Sequence, residues 1–157
     1  IEEVGLLNYI KTHSEEYTFI DRSIAKNEEE KRQIHAKAIL SDYYLMSTNA
    51  FTMDGQLVNI DGNGNRVSAL CYGPKHVVII TGMNKLTPSV EDAYKRIRQD
   101  ACPPNCVRLG LPTPCSKTGV CGDCMSASSI CDLFVTTRMS RYPDRIHIIM
   151  VGEELGY

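Results

Sequence analysis

Six of the seven cysteines fall between Cys102 and Cys131, and Cys71 stands alone. Cys115, Cys121, Cys124 and Cys131 follow the spacing C-x5-C-x2-C-x6-C. A C-x2-C pair turns two thiolates toward one ion, and Gly119 and Gly122 permit the tight turns this needs. Four thiolates suit tetrahedral Zn²⁺ at Zn–S of about 2.3 Å, or an iron–sulfur cluster. The spacing is neither that of a zinc ribbon nor that of the common ferredoxins, and no histidine lies in the segment. A loop of reduced thiols packed on the domain and a redox disulfide are the other readings of the same residues. Cys102-Pro-Pro-Asn-Cys106 is a weaker source of a fifth ligand.

A second group of chemically able residues is crowded around a hairpin and a glycine loop: Asn49, Asp54, Asp61, Asn63, Asn65 and Arg66. Arg66 can grip a carboxylate or phosphate in two-pronged fashion. Gly62-Asn-Gly64-Asn before a helix can offer backbone N–H groups to an anion. Asp54 or Asp61 can act as an acid or base, although Asp61 brings negative charge that a simple phosphate cradle would avoid. Lys85 follows a strand end and can reach the same crevice. Turn chemistry alone also accounts for Asp, Asn and Gly at such positions, and a solvated loop accounts equally for Lys85.

These residues need a scaffold, and the hydrophobic pattern supplies one. Apolar residues at Val4, Leu6, Leu7 and Ile10 have a helical period, and Tyr17 to Ile20 reads as extended. Asn27 followed by Glu28, Glu29 and Glu30 starts a helix over 28–40, with Ile34, Ala38 and Ile39 toward the core. Strands are predicted around 44–46, 51–53, 56–60, 76–81, 133–136 and 146–151, and a short helix over 66–72. Asp54-Gly55 between two β-prone runs predicts a type I′ hairpin turn, with both residues at positive φ. Pro88 opens a helix that runs to about 101. From 102 to 131 no period is evident. Buried strands alternating with helices predict an α/β domain with a largely parallel sheet, and ligands bind such sheets at the carboxyl ends of their strands.

Composition agrees with a globular chain: 157 residues, 43% apolar, 23% charged and net charge −2. That balance gives no reason to expect a nucleic-acid or anionic membrane surface. The longest apolar runs, such as Val77-Val78-Ile79-Ile80, are far short of the roughly 20 residues of a membrane helix. Clustered thiols without an export signal point to the reducing cytoplasm. The first residue is Ile1, which fits a processed chain or a piece of a longer one.

Several motifs together resemble the LUD (lactate utilisation) domain family, in its small bacterial branch formerly catalogued as a domain of unknown function. They are Ser47-Thr-Asn-Ala50, Asp54-Gly55, Leu57-Val-Asn59, Asp61-Gly-Asn-Gly-Asn-Arg66-Val67, Gly73-Pro74, Gly82-x-Asn-Lys85, Arg96-Ile97, Arg108-Leu109, Thr113-Pro-Cys115, Asp123-Cys124 and Val151-Gly-Glu-x-Leu-Gly156. The resemblance implies a fold like the NagB/RpiA/CoA-transferase group, an α/β sheet with helices on both faces. It implies one domain over residues 1–157, roughly the C-terminal two-thirds of the family's usual length, with a Gly/Ser loop and first strands upstream. It also implies a place near lactate oxidation, with a small anionic metabolite as ligand and an iron–sulfur redox protein as partner. Related folds with a catalytic glutamate carry it just before the hairpin glycine. Here Met53 precedes Asp54-Gly55, so transferase chemistry in its usual form lacks its nucleophile. An isomerase-like or transferase-like enzyme acting on a phosphorylated sugar or acyl compound, and a non-enzymatic sensor or assembly subunit, are the alternatives.

Overall fold

Asn27 begins the first long helix as its sequence suggests. Its side chain accepts from the N–H of Glu30 at 2.8 Å, and Glu30 reaches back to the N–H of Lys26 at 2.8 Å. The computed structural model describes residues 1–157. Helices are α1 (Leu6–Thr12), α2 (Glu28–Ile39), α3 (Asn65–Cys71), α4 (Val90–Arg96), α5 (Cys102–Arg108) and α6 (Pro114–Thr118). Strands are β1 (Tyr43–Met46), β2 (Ala50–Thr52), β3 (Leu57–Asp61), β4 (His76–Gly82), β5 (Leu86–Thr87), β6 (Leu133–Thr137) and β7 (Ile146–Val151). No helix is long and apolar enough to cross a membrane.

The architecture is α/β, but the strands form two sheets rather than one. One is parallel throughout, in the order β1-β4-β7. The other, β5-β2-β3-β6, is mixed: β2 and β5 are parallel, and β3 is antiparallel to both β2 and β6. The hairpin after β2 is the reason. It reverses the chain at once, so the crossover needed for parallel pairing is absent there.

That hairpin has one residue more in its loop than a type I′ turn. Thr52 N–H donates to the Gln56 carbonyl at 2.9 Å, and Gly55 N–H to the Thr52 carbonyl at 2.9 Å. Three residues, 53–55, make the loop, and only Gly55 has positive φ, at 86°. This is a type I turn closed by a left-handed glycine.

β3 is buried at all five residues, and its alternation divides the core. Val58 and Ile60 join Ala50 against Ala93, Ile97, Ala101 and Cys102. Leu57, on the opposite face, joins Phe51, Met46, Val77, Ile79 and Leu70, where the two sheets and α3 meet.

The segment beyond residue 96 is more regular than its composition suggests. A π turn over Ile97–Ala101 leads directly into α5. Pro103 and Pro104 lack the N–H groups that would continue the α-helical ladder, and the wider turn accommodates them. Pro114 opens α6 in the same permissive first-turn position. Residues 119–132 carry no helix or strand. Residues 17–20, read as extended, form no strand, and a short 3₁₀ turn follows at Arg22–Ile24.

Candidate functional site

Asn49 and Arg66 are locked together at the junction of β2, β3 and α3. Asn49 Oδ1 accepts from the Ile60 N–H at 3.1 Å and from Arg66 Nη2 at 3.2 Å. Asn49 N–H in turn donates to Asn59 Oδ1 at 3.1 Å. Arg66 Nη2 also donates to the Ile60 carbonyl at 2.9 Å, and Nε lies 3.1 Å from Asp61 Oδ2. The other Asp61 oxygen accepts from the Gly64 N–H at 3.0 Å. Asp61 is 5% exposed and Arg66 27%, so the pair is largely withdrawn from water. Arg66 Nη1 has no protein partner.

These residues form one wall of a cavity of about 360 Å³. Asn63 and Asn65 stand on the glycine loop beside them, and Asn105 and Arg108 come from α5. Arg22 closes a further side from the 3₁₀ turn. Asp21 fixes that turn by accepting from the Ser23 N–H at 2.9 Å and pairing with Lys11 at 3.1 Å. Hydrogen bonds from Ser23, aided by Lys11, hold the Asp21 carboxyl down to about 2. The cavity therefore gathers three guanidinium groups against one carboxylate, in a volume suited to a small ligand. Arg96 sets the position of the wall from behind, donating Nη1 to the Asn49 carbonyl at 2.9 Å and Nε to the Asn84 carbonyl at 2.9 Å.

A second, narrower chamber of about 80 Å³ abuts the first. Cys102, Ser129 and Ile130 line both. Gly62 makes the contact between their walls close: a Cβ there would lie 3.1 Å from the Ile130 backbone. All six clustered cysteines line the narrow chamber. Cys102 and Cys131 have their Sγ atoms 3.4 Å apart, and Cys115 Sγ lies 3.3 Å from Thr113 Oγ1. The hydrogen bond between the two thiols, aided by Arg98, pulls the Cys131 thiol down to about 7. The same interaction and burial push Cys102 upward, and burial raises Cys106.

A family model described as LUD domain matches residues 1–151. The chain belongs to the LUD domain family. That family is linked to lactate utilisation. No curated protein and no solved structure matches the chain.

Within this LUD domain the residues singled out from the sequence fall into three places. Asn49, Asp61, Asn63, Asn65 and Arg66 meet in the arginine cavity, and Cys115, Cys121, Cys124 and Cys131 in the thiol chamber. Asp54 and Lys85 lie in neither. Asp54 sits on the exposed hairpin, where Thr52 Oγ1 and Gln56 Nε2 donate to its carboxylate and hold its pKa below the usual range. Lys85 is 5% exposed, at the end of a 3₁₀ turn (Met83–Lys85) that joins β4 to β5, with Nζ 3.4 Å from Ser47 Oγ. Burial, with Arg96 nearby, brings its ammonium down to about 8.

The donor chemistry of the thiol chamber suits zinc or an iron–sulfur cluster. Its present arrangement does not, because no three His, Cys, Asp or Glu side chains are grouped closely enough to hold a metal ion. Arg22, Arg96, Arg108 and Cys102 had no roles in the sequence reading of the crevice. Arg96 and Arg108 stand in the family-like stretches of sequence, and Cys102 in a cysteine pair, so faint signals existed. Arg22 had none.

Proposed function

We propose that this LUD domain binds a small anionic metabolite in the arginine cavity and serves lactate utilisation or a neighbouring step of redox metabolism. The observation that carries the reading is the partly free guanidinium of Arg66, fixed by Asn49, Ile60 and Asp61 and flanked by Arg22 and Arg108. With Nε and Nη2 committed to Asp61, Asn49 and Ile60, Arg66 offers Nη1 to a ligand oxygen, and a guanidinium held in place loses little entropy in making that charge-assisted contact. The family's link to lactate makes a short carboxylic acid the first candidate. Isothermal titration with L-lactate, pyruvate and inorganic phosphate tests this. Saturable binding of one carboxylate, weakened about tenfold or more in Arg22→Ala or Arg108→Ala, is the expected result, one charge-assisted contact being worth about 1.5 kcal/mol or more. Absence of binding, or binding indifferent to both substitutions, overturns it.

A second reading gives Cys115, Cys121, Cys124 and Cys131 to zinc or an iron–sulfur cluster, favoured by their common chamber and soft donors. It requires the 119–131 loop to draw the sulfurs together. Metal analysis and a visible spectrum of anaerobically purified protein decide it. A brown, reducible chromophore indicates a cluster, stoichiometric zinc without colour indicates a structural ion, and the absence of both metal and chromophore eliminates the reading.

A further inference from the structure

We infer that Cys102 and Cys131 form a redox-active dithiol that exchanges with low-molecular-weight disulfides. Their Sγ atoms are 3.4 Å apart, although 29 positions separate the residues in the chain. A disulfide needs a separation of about 2.05 Å, which a modest side-chain rotation brings within reach. Cys102 is held at the start of α5, packed among Ala50, Ile97 and Ala101. Cys131 precedes β6 on the irregular segment and packs, half-buried, against the same cluster. Cys102 also lies where the two cavities adjoin, which puts the dithiol beside the arginine cavity rather than in an isolated core.

The roles follow from exposure. Cys102 is 6% exposed, whereas Cys131 is half-buried. Cys131, as thiolate, attacks one sulfur of an external disulfide. The external S–S bond breaks, a mixed disulfide forms on Cys131, and one external thiolate leaves. Cys102 then attacks the Cys131 sulfur, and the second external thiolate departs. The two protons from the protein thiols end on the two released thiols. The protein dithiol is oxidised by two electrons, and the external disulfide is reduced to two thiols. The narrow chamber favours a small, flexible disulfide over a folded protein surface. The inference does not depend on which anion fills the arginine cavity.

The test uses the full chain, reduced and freed of metal by a chelator, then incubated with oxidised glutathione. Remaining thiols are alkylated, and tandem mass spectrometry locates the linkages. The expected product joins Cys102 to Cys131 with loss of two hydrogens. Exposed Cys71, outside the chamber, serves as an internal control that forms only an unresolved mixed disulfide. Cys102→Ser should trap glutathione on Cys131, and Cys131→Ser should abolish the internal linkage. Because Cys102 belongs to the core, Cys131→Ser supplies the independent variant. A dominant Cys121–Cys124 linkage, scattered linkages, or no internal linkage under conditions that modify Cys71 would overturn the inference. Loss of metabolite binding would bear on the arginine cavity alone.

Discussion

Arg66 has two tasks at the residue scale. It neutralises the nearly buried Asp61, and it leaves one end of its guanidinium for a ligand. Truncating it removes the partner but leaves the carboxylate with the Gly64 N–H alone. We predict that Arg66→Ala lowers stability by about 3 kcal/mol, the low end for breaking a buried pair, since the arginine is itself partly exposed. Urea denaturation checks this, and a loss well under 1 kcal/mol would show that water already solvates Asp61. The stability effect must be measured before any loss of binding in this variant is interpreted. Asp54, by contrast, spends its carboxylate on the hairpin, so its chemistry is absorbed by local structure.

At the scale of elements, α3 matters because it begins at the glycine loop and ends against the parallel sheet. Arg145, just before β7, closes that end. It donates to the carbonyls of Ala69 at 2.8 Å, Leu70 at 2.7 Å and Pro74 at 3.1 Å. Carbonyls at the end of a helix have no partners within it, and a cation there also suits the helix dipole. Arg145→Ala should therefore cost about 2 kcal/mol, because several partly buried charge-assisted bonds disappear together. Thermal or urea unfolding measures the loss. Hydrogen exchange should show it concentrated in α3 and the adjoining end of β4, and an even loss across the chain would contradict this local role. β7 pairs with β4 alone and exposes Ile149 and Met150, and Arg145 ties its start to α3.

Across the whole molecule, Lys85 stands where the sheets and the C-terminal segment come together. The chain leaves the parallel sheet at Gly82 and enters the mixed sheet at β5. Asn84 clamps the tail, accepting from the Leu155 N–H at 3.2 Å and donating to the Gly156 carbonyl at 3.0 Å. The buried Lys85 ammonium is brought from its ordinary 10.5 to about 8, first by desolvation and then by Arg96. Between those values the unfolded chain holds a proton that the folded chain has released. Stability attributable to this residue therefore rises with pH from about 8 to 10.5, and below 8 the cost of burying the charge is constant. Lys85→Met should be more stable than the parent at neutral pH, with the gap shrinking as pH rises through that window. Parallel urea titrations from pH 7 to 10 test the sign. A gap that widens instead would mean that the ammonium stabilises the fold.

Local patterns in the sequence were enough to reveal the long capped helix after Asn27, most strands, the hairpin glycine, the cysteine-rich segment and a polar group around Arg66. Each depends on residues a few positions apart: a capping side chain, an alternation, a period of helical length, a turn. Division into two sheets was not legible, because strand pairing joins distant segments such as β3 with β6 and β4 with β7. The helices after residue 101 were obscured because proline usually breaks a helix, while here it occupies the tolerated first turns. The gathering of Arg22 and Arg108 around Arg66, the support of Asn49 by Arg96, and the meeting of Cys102 with Cys131 belong to the tertiary structure. Side chains far apart in sequence become neighbours through strand order and packing, and no local period carries that information.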